Sequence, residues 1–188
     1  MQSLVKAAAY STLAHRDYEL NANVAFNKDQ VLMFLNGLVL GSLEENHLKE
    51  MEGCFTDAEF VAGHMTEAVK DFAAKDLPHI MSGLTEIGDI FLQMPKIFGD
   101  CTSGTIKVEA ARLAKWAEPF KNPKEESAKI MANVLANYVA MIHDLDVMNQ
   151  ILAKADIVGG GKEAAQILEL ALGPVPSADP ETVPYTQW

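Results

Sequence analysis

Seven apolar residues, Leu77, Ile80, Leu84, Ile87, Phe91, Met94 and Phe98, follow one another at alternating spacings of three and four. Only an α-helix brings such positions onto one face, and that face must be covered by a partner. The partner is the segment just upstream. Ala58, Val61, Met65, Ala68 and Phe72 repeat with the same spacing, and only Ala73-Ala74-Lys75-Asp76 separates the two runs. Two helices joined so briefly pack antiparallel. Thr56-Asp57-Ala58-Glu59 reads as a capping box for the first, with the Thr hydroxyl on the Glu59 amide and the Glu side chain reaching back. Asp76 caps the second, where Pro78 is tolerated because first-turn amides have no intrahelical partner. Pro95 is expected to kink its last turns and Gly99 to end it.

The rest of the chain is read the same way. Asn27-Lys28-Asp29-Gln30 starts a helix running to about Ser42, and Glu44–Gly53 adds one short turn. Ile106, Ala110, Leu113, Ala117 and Phe120 mark a further helix. Asn122-Pro123-Lys124-Glu125 opens the longest one, with Met131, Val134, Tyr138, Met141, Leu145, Met148 and Leu152 as its seam. Gly159-Gly160-Gly161 reads as a flexible joint before a last helix, about 162–172, stopped by Gly173-Pro174. The expected fold is all-α: an antiparallel helical bundle of five to six helices over 27–173. An N-terminal arm, 1–26, and a Pro-rich C-terminal tail, 174–188, extend from it. Pro174, Pro176, Pro180 and Pro184 favour an extended tail.

Composition narrows the function. Lys and Arg number 15 against 26 Asp and Glu, a formal charge of −11. Such a field repels phosphate backbones and anionic lipid, so nucleic acid is not an expected partner. The most apolar run, Val31 to Leu43, contains Asn36 and falls short of the roughly 20 residues a membrane span needs. Residues 1–20, with Lys6, His15 and Arg16, make a poor signal peptide and a weak transit peptide.

No motif carries catalysis. Cys54 and Cys101 flank the hairpin, with arms of about 22 and 25 residues, or roughly 33 and 37 Å at helical rise. Both return to its open end, so a disulfide there fits the geometry, with two free thiols as the alternative. Glu52, Asp57 and Asp100 beside them disfavour a reactive thiolate. Glu44-Glu45-Asn46-His47 holds one Glu-x-x-His, whereas a di-iron bundle needs two. His47, and the cluster of His143, Asp144 and Asp146, read as surface groups, so no metal and no cofactor is expected. Asp156 and Glu163 spoil any phosphate-loop reading of Gly159-Gly160-Gly161-Lys162. Glu86 and Asp89, off the seam, read as a solvated face. Gly37-Leu38-Val39-Leu40-Gly41 lets another helix approach closely, read as packing within the chain.

Several strings carry a resemblance: Asn36-Gly37-Leu38, Glu52-Gly53-Cys54-Phe55-Thr56-Asp57, Ala68-Val69-Lys70-Asp71-Phe72, Gly83-Leu84-Thr85-Glu86-Ile87-Gly88, Asp100-Cys101, Lys115-Trp116-Ala117-Glu118-Pro119-Phe120-Lys121-Asn122-Pro123 and Leu172-Gly173-Pro174. Over about residues 31–176 the chain resembles a family of small, two-cysteine, often secreted helical proteins of single-celled eukaryotes. The resemblance implies an oxidising compartment, so a secretory, extracellular or organellar lumen is favoured over the cytosol. It brings no catalytic residue. The expected function is therefore a non-catalytic structural or accessory subunit of a larger assembly, or a filament. Its arms would contact neighbouring chains, with Pro174, Pro176, Tyr185 and Trp188 as partner-binding residues. The alternative is a binding protein for a lipid or other small apolar ligand held between Met- and Phe-rich helices.

Overall fold

Asn27 Oδ1 accepts from Gln30 N (2.9 Å) and Gln30 Oε1 accepts from Asn27 N (3.0 Å), so the expected capping box opens helix α1, Lys28–Leu43. The computed structural model describes residues 26–121 and 123–177, with the side chains of 123–127 outside the description. Lys6, His15, Arg16, the cap Asn122, Tyr185 and Trp188 also lie outside the described residues. After α1 come α2 (Leu48–Glu52), α3 (Ala58–Ala74), α4 (Leu77–Ile97) and α5 (Gly104–Trp116). A 3₁₀ turn, Glu118–Phe120, precedes α6 (Pro123–Ala136), α7 (Tyr138–Ala153) and α8 (Ile157–Leu172). The fold is an all-α bundle, with no strand among the described residues.

The α3–α4 hairpin forms as its seams require. Val61, Met65, Ala68 and Phe72 face Ile80, Leu84, Ile87, Phe91, Met94 and Phe98, all essentially inaccessible to water. Burying a side chain of this kind stabilises by about 1.5–3 kcal/mol relative to exposure. Asp76 caps α4 by accepting from His79 N (3.0 Å). Helix α4 is buried beyond its seam, at Ile90 and Ile97, because α3, α5 and α8 all pack against it. It ends at Ile97, two residues before Gly99.

Three expectations are corrected. Thr56 does not cap α3. Asp57 occupies the cap position, in the left-handed region (φ 62°), and its side chain makes no cap bond. The Thr56 hydroxyl donates instead to Ile97 O (3.0 Å), across the hairpin.

The long fifth helix is two helices, α6 and α7, broken at Asn137. There the side chain donates to Asn133 O (3.0 Å) and to Leu170 O of α8 (3.1 Å). An amide so placed competes with the helix's own backbone and favours a break. The short α2 and this break bring the described helices to eight.

Finally, Gly159, Gly160 and Gly161 are not a joint. They form the first turns of α8, whose cap Asp156 accepts from Gly159 N (2.9 Å). Gly161 lets α8 cross α1 at Gly37 with backbones in contact, and α1–α8 is the most extensive helix pair in the bundle. The Gly37–Gly41 face is thus spent on packing within the chain.

Candidate functional site

The open end of the hairpin is tied in several places. Cys54 and Cys101 are joined by a disulfide, with Cα atoms 4.8 Å apart. Around it, Thr56 N (3.2 Å) and Oγ1 (3.0 Å) both donate to Ile97 O, and Lys96 Nζ reaches Asp57 Oδ2 at 2.8 Å. Ser103 Oγ donates to Glu50 Oε2 (2.6 Å), which fastens α2 to the segment after Cys101. That bond, helped by His47, holds the Glu50 carboxyl below its ordinary range. His47 is only 6% exposed, not a surface group as expected. Its Nε2 is hydrogen-bonded to Glu45 Oε2 (3.1 Å), whereas its buried Nδ1, 3.5 Å from Glu50 Oε1, has no hydrogen-bond partner among the described residues. With both sulfurs bonded to each other, this end offers no thiol nucleophile; its chemistry is that of a staple.

The root of the tail lies on its own bundle. Gly173 turns the chain with φ 87°, a conformation that glycine adopts without strain. Trp116 Nε1 then donates to Gly173 O (3.0 Å) and Arg112 Nε to Pro176 O (2.8 Å). Val175 packs against the core, while Pro174 and Pro176 are exposed. Of the expected partner-binding residues, these two therefore sit together beside α5.

A surface that the seam reading passed over lies on α6 and α7. Val139 is 83% and Leu135 57% exposed, and Ala132, Ala136 and Ala140 are exposed beside them. None of the five carries charge. Their three-and-four spacing, offset by one from Val134, Tyr138 and Met141, was the signal available in the sequence.

Two open depressions mark the surface. The first, about 590 Å³, is lined by Asn133, Asn137, Gln166, Glu169 and Asp144, among others. Two of its amides are already committed: Asn133 Nδ2 donates to Ala171 O (2.8 Å) and Asn137 Nδ2 to Leu170 O (3.1 Å), closing the C-terminus of α8. Nearby, burial and the Asp144 charge push the Glu163 carboxyl up. The second, about 600 Å³, lies over α3 at Phe26, Phe60, Gly63 and His64. There Glu86, expected to be solvated, is half-buried and accepts from His64 Nδ1 (2.6 Å). Between the helices, the Phe and Met positions are filled by their own side chains, Phe34, Phe72, Phe91, Met65 and Met94 each at most 1% exposed. Among the described residues no group of three His, Cys, Asp or Glu side chains could hold a metal ion. No described helix is long and apolar enough to cross a membrane.

A family model described as SctB-like, secreted protein B-like, matches residues 12–171. The match supports the coarser part of the resemblance, a family described as secreted. It gives no support to an origin in single-celled eukaryotes. No curated protein and no solved structure matches the chain.

Proposed function

The chain belongs to the SctB-like, secreted protein B-like family, and from that premise we propose that it works outside the cytosol as a non-catalytic accessory subunit that binds other protein chains. The observation that carries this reading is the uncharged apolar stripe of Leu135 and Val139 on α6 and α7. Contiguous exposed apolar patches, unlike apolar residues scattered singly, mark interaction surfaces. A disulfide-stapled hairpin supports the reading, since disulfides persist in oxidising compartments and are rare in the cytosol. The filled core supports a scaffold.

The test is the association state of the secreted full-length chain by native mass spectrometry and sedimentation, alone and with chains it cross-links to. The wild type is expected in an assembly that Val139→Glu dissolves, with the helical fold unchanged. Removal of residues 178–188 asks whether the tail contributes. A chain that stays monomeric, gives no cross-linked partner and responds to neither change would overturn the reading.

A further inference from the structure

Gly63 sits in the middle of α3 with nothing within 4 Å of where a Cβ would be. Gly63 is exposed, whereas the buried glycines inside described helices and remote from their ends (Gly37, Gly83, Gly88) would each place a Cβ closer than 3.0 Å to an atom of another element. Packing within the chain explains those; it does not explain Gly63. A helical glycine costs about 1 kcal/mol relative to alanine, and one of its uses is close approach of something to the backbone. The space above Gly63 is the depression of about 600 Å³, and its lining has a definite chemistry. The rings of Phe60 and His64 lie 4.2 Å apart, centroid to centroid, and Phe26 stands beside them. Glu59, Glu67 and Glu86 also line it, and among the described residues no lysine or arginine does. Two of the three are engaged: Glu67 pairs with Lys70 (3.2 Å) and Glu86 with His64 (2.6 Å), whereas Glu59 has no ion-pair partner among the described residues.

We propose that this depression is a docking site for a basic, amphipathic segment of a partner protein. The segment would place a large apolar side chain over Gly63 between Phe26 and Phe60, with flanking lysine or arginine beside Glu59 and Glu67. Charge complementarity selects the occupant: an apolar floor alone would accept any hydrophobic segment, but a carboxylate rim on a chain of net charge −11 repels an acidic one. The aromatic rings add attraction for a cation held over their faces. This deepens the reading of the chain as a protein-binding subunit and rests on it. It concerns a different face from the Leu135–Val139 stripe.

The experiment titrates the full-length, oxidised protein with a short lysine–leucine amphipathic peptide, with a glutamate–leucine peptide as control, and follows backbone amide shifts. Shifts confined to residues 59–67 and 86, and absent with the acidic peptide, are expected. Gly63→Trp places an indole in the depression, its Cβ meeting no atom within 4 Å, and leaves net charge unchanged. It should weaken binding by roughly tenfold or more, as loss of a central anchor does. If that variant misfolds, Glu59→Lys at the exposed rim reads the same complementarity. Shifts spread over the acidic surface, or affinity unchanged by both variants, overturn the proposal. So does a depression already covered, at every dilution, by residues upstream of Phe26. Val139→Glu should leave peptide binding intact, so failure of this site and failure of the assembly reading remain distinguishable.

Discussion

Gly37 of α1 and Gly161 of α8 meet backbone to backbone: a Cβ added at Gly37 would lie 3.0 Å from Gly161 Cα, and one added at Gly161 would lie 3.1 Å from Gly37 Cα. The same added atoms would run into the carbonyl oxygens of Val158 and Phe34, which cannot rotate away. Gly161→Ala is therefore expected to destabilise by about 2–3 kcal/mol, overpacking outweighing the alanine's helix propensity. Gly63→Ala, in open space, should stabilise by about 0.5–1 kcal/mol. Urea unfolding of the two variants reads the contrast, and equal effects would sink this account of the crossing.

The disulfide spans a sequence separation of 47. Constraint of the unfolded chain over a loop of that size is worth about 4 kcal/mol in the chain-entropy model, and measured values often fall below it. The double variant Cys54→Ser, Cys101→Ser should still fold, because the α3–α4 seams are intact, but with stability lower by about 2–4 kcal/mol. Circular dichroism would show helix content preserved and the urea midpoint moved down. A variant as stable as wild type would mean the staple contributes nothing.

Thr56 and Glu59 separate two accounts of the start of α3. Thr56→Val removes the hydroxyl from Ile97 O and should cost about 1 kcal/mol, with Thr56→Ser keeping most of it. Glu59→Ala should change stability by less than about 0.5 kcal/mol, since an exposed side chain outside any such feature contributes little. A capping box would make Glu59→Ala costly, so thermal unfolding of the pair decides the matter.

Glu163 is the group whose titration should oppose folding. Burial, then Asp144, raise its carboxyl in the folded chain, with Lys162 and His143 acting the other way. A raised folded pKa means the native state binds the proton more tightly. Its contribution to stability is thus fully present below the unfolded carboxyl range and is lost as pH rises through the folded one. Glu163→Gln should therefore raise the melting temperature at neutral pH and lose that advantage in mild acid. The opposite pH trend would show that Lys162 and His143 dominate.

Much of the bundle is legible in the chain because its causes are local. The Asn27–Gln30 box, the Asp76 cap and the stop at Gly173 each involve partners three or four residues apart, and so do the buried seams of α3 and α4. The Cys54–Cys101 pairing is also within reach of sequence, once both arms of the hairpin are measured at helical rise. The candidate surfaces are less so. Leu135 and Val139 carry a readable period, but a stripe offset by one from a seam looks like core until the helix's neighbours are known. Nothing local tells Gly63 from Gly83, although one faces open space and the other lies under the Phe72 ring.

By itself, then, the sequence determined the all-α class, the hairpin and most helix starts, because backbone hydrogen bonding and apolar periodicity act within a turn or two. Only the tertiary structure decided that Gly159-Gly160-Gly161 is helix, that Asn137 ends one, and that Thr56 turns away from its own helix. Each depends on an atom far along the chain: Phe34 O for Gly161, Leu170 O for Asn137, Ile97 O for Thr56. Local propensities there are small, and a close helix crossing or a paired carbonyl outweighs them.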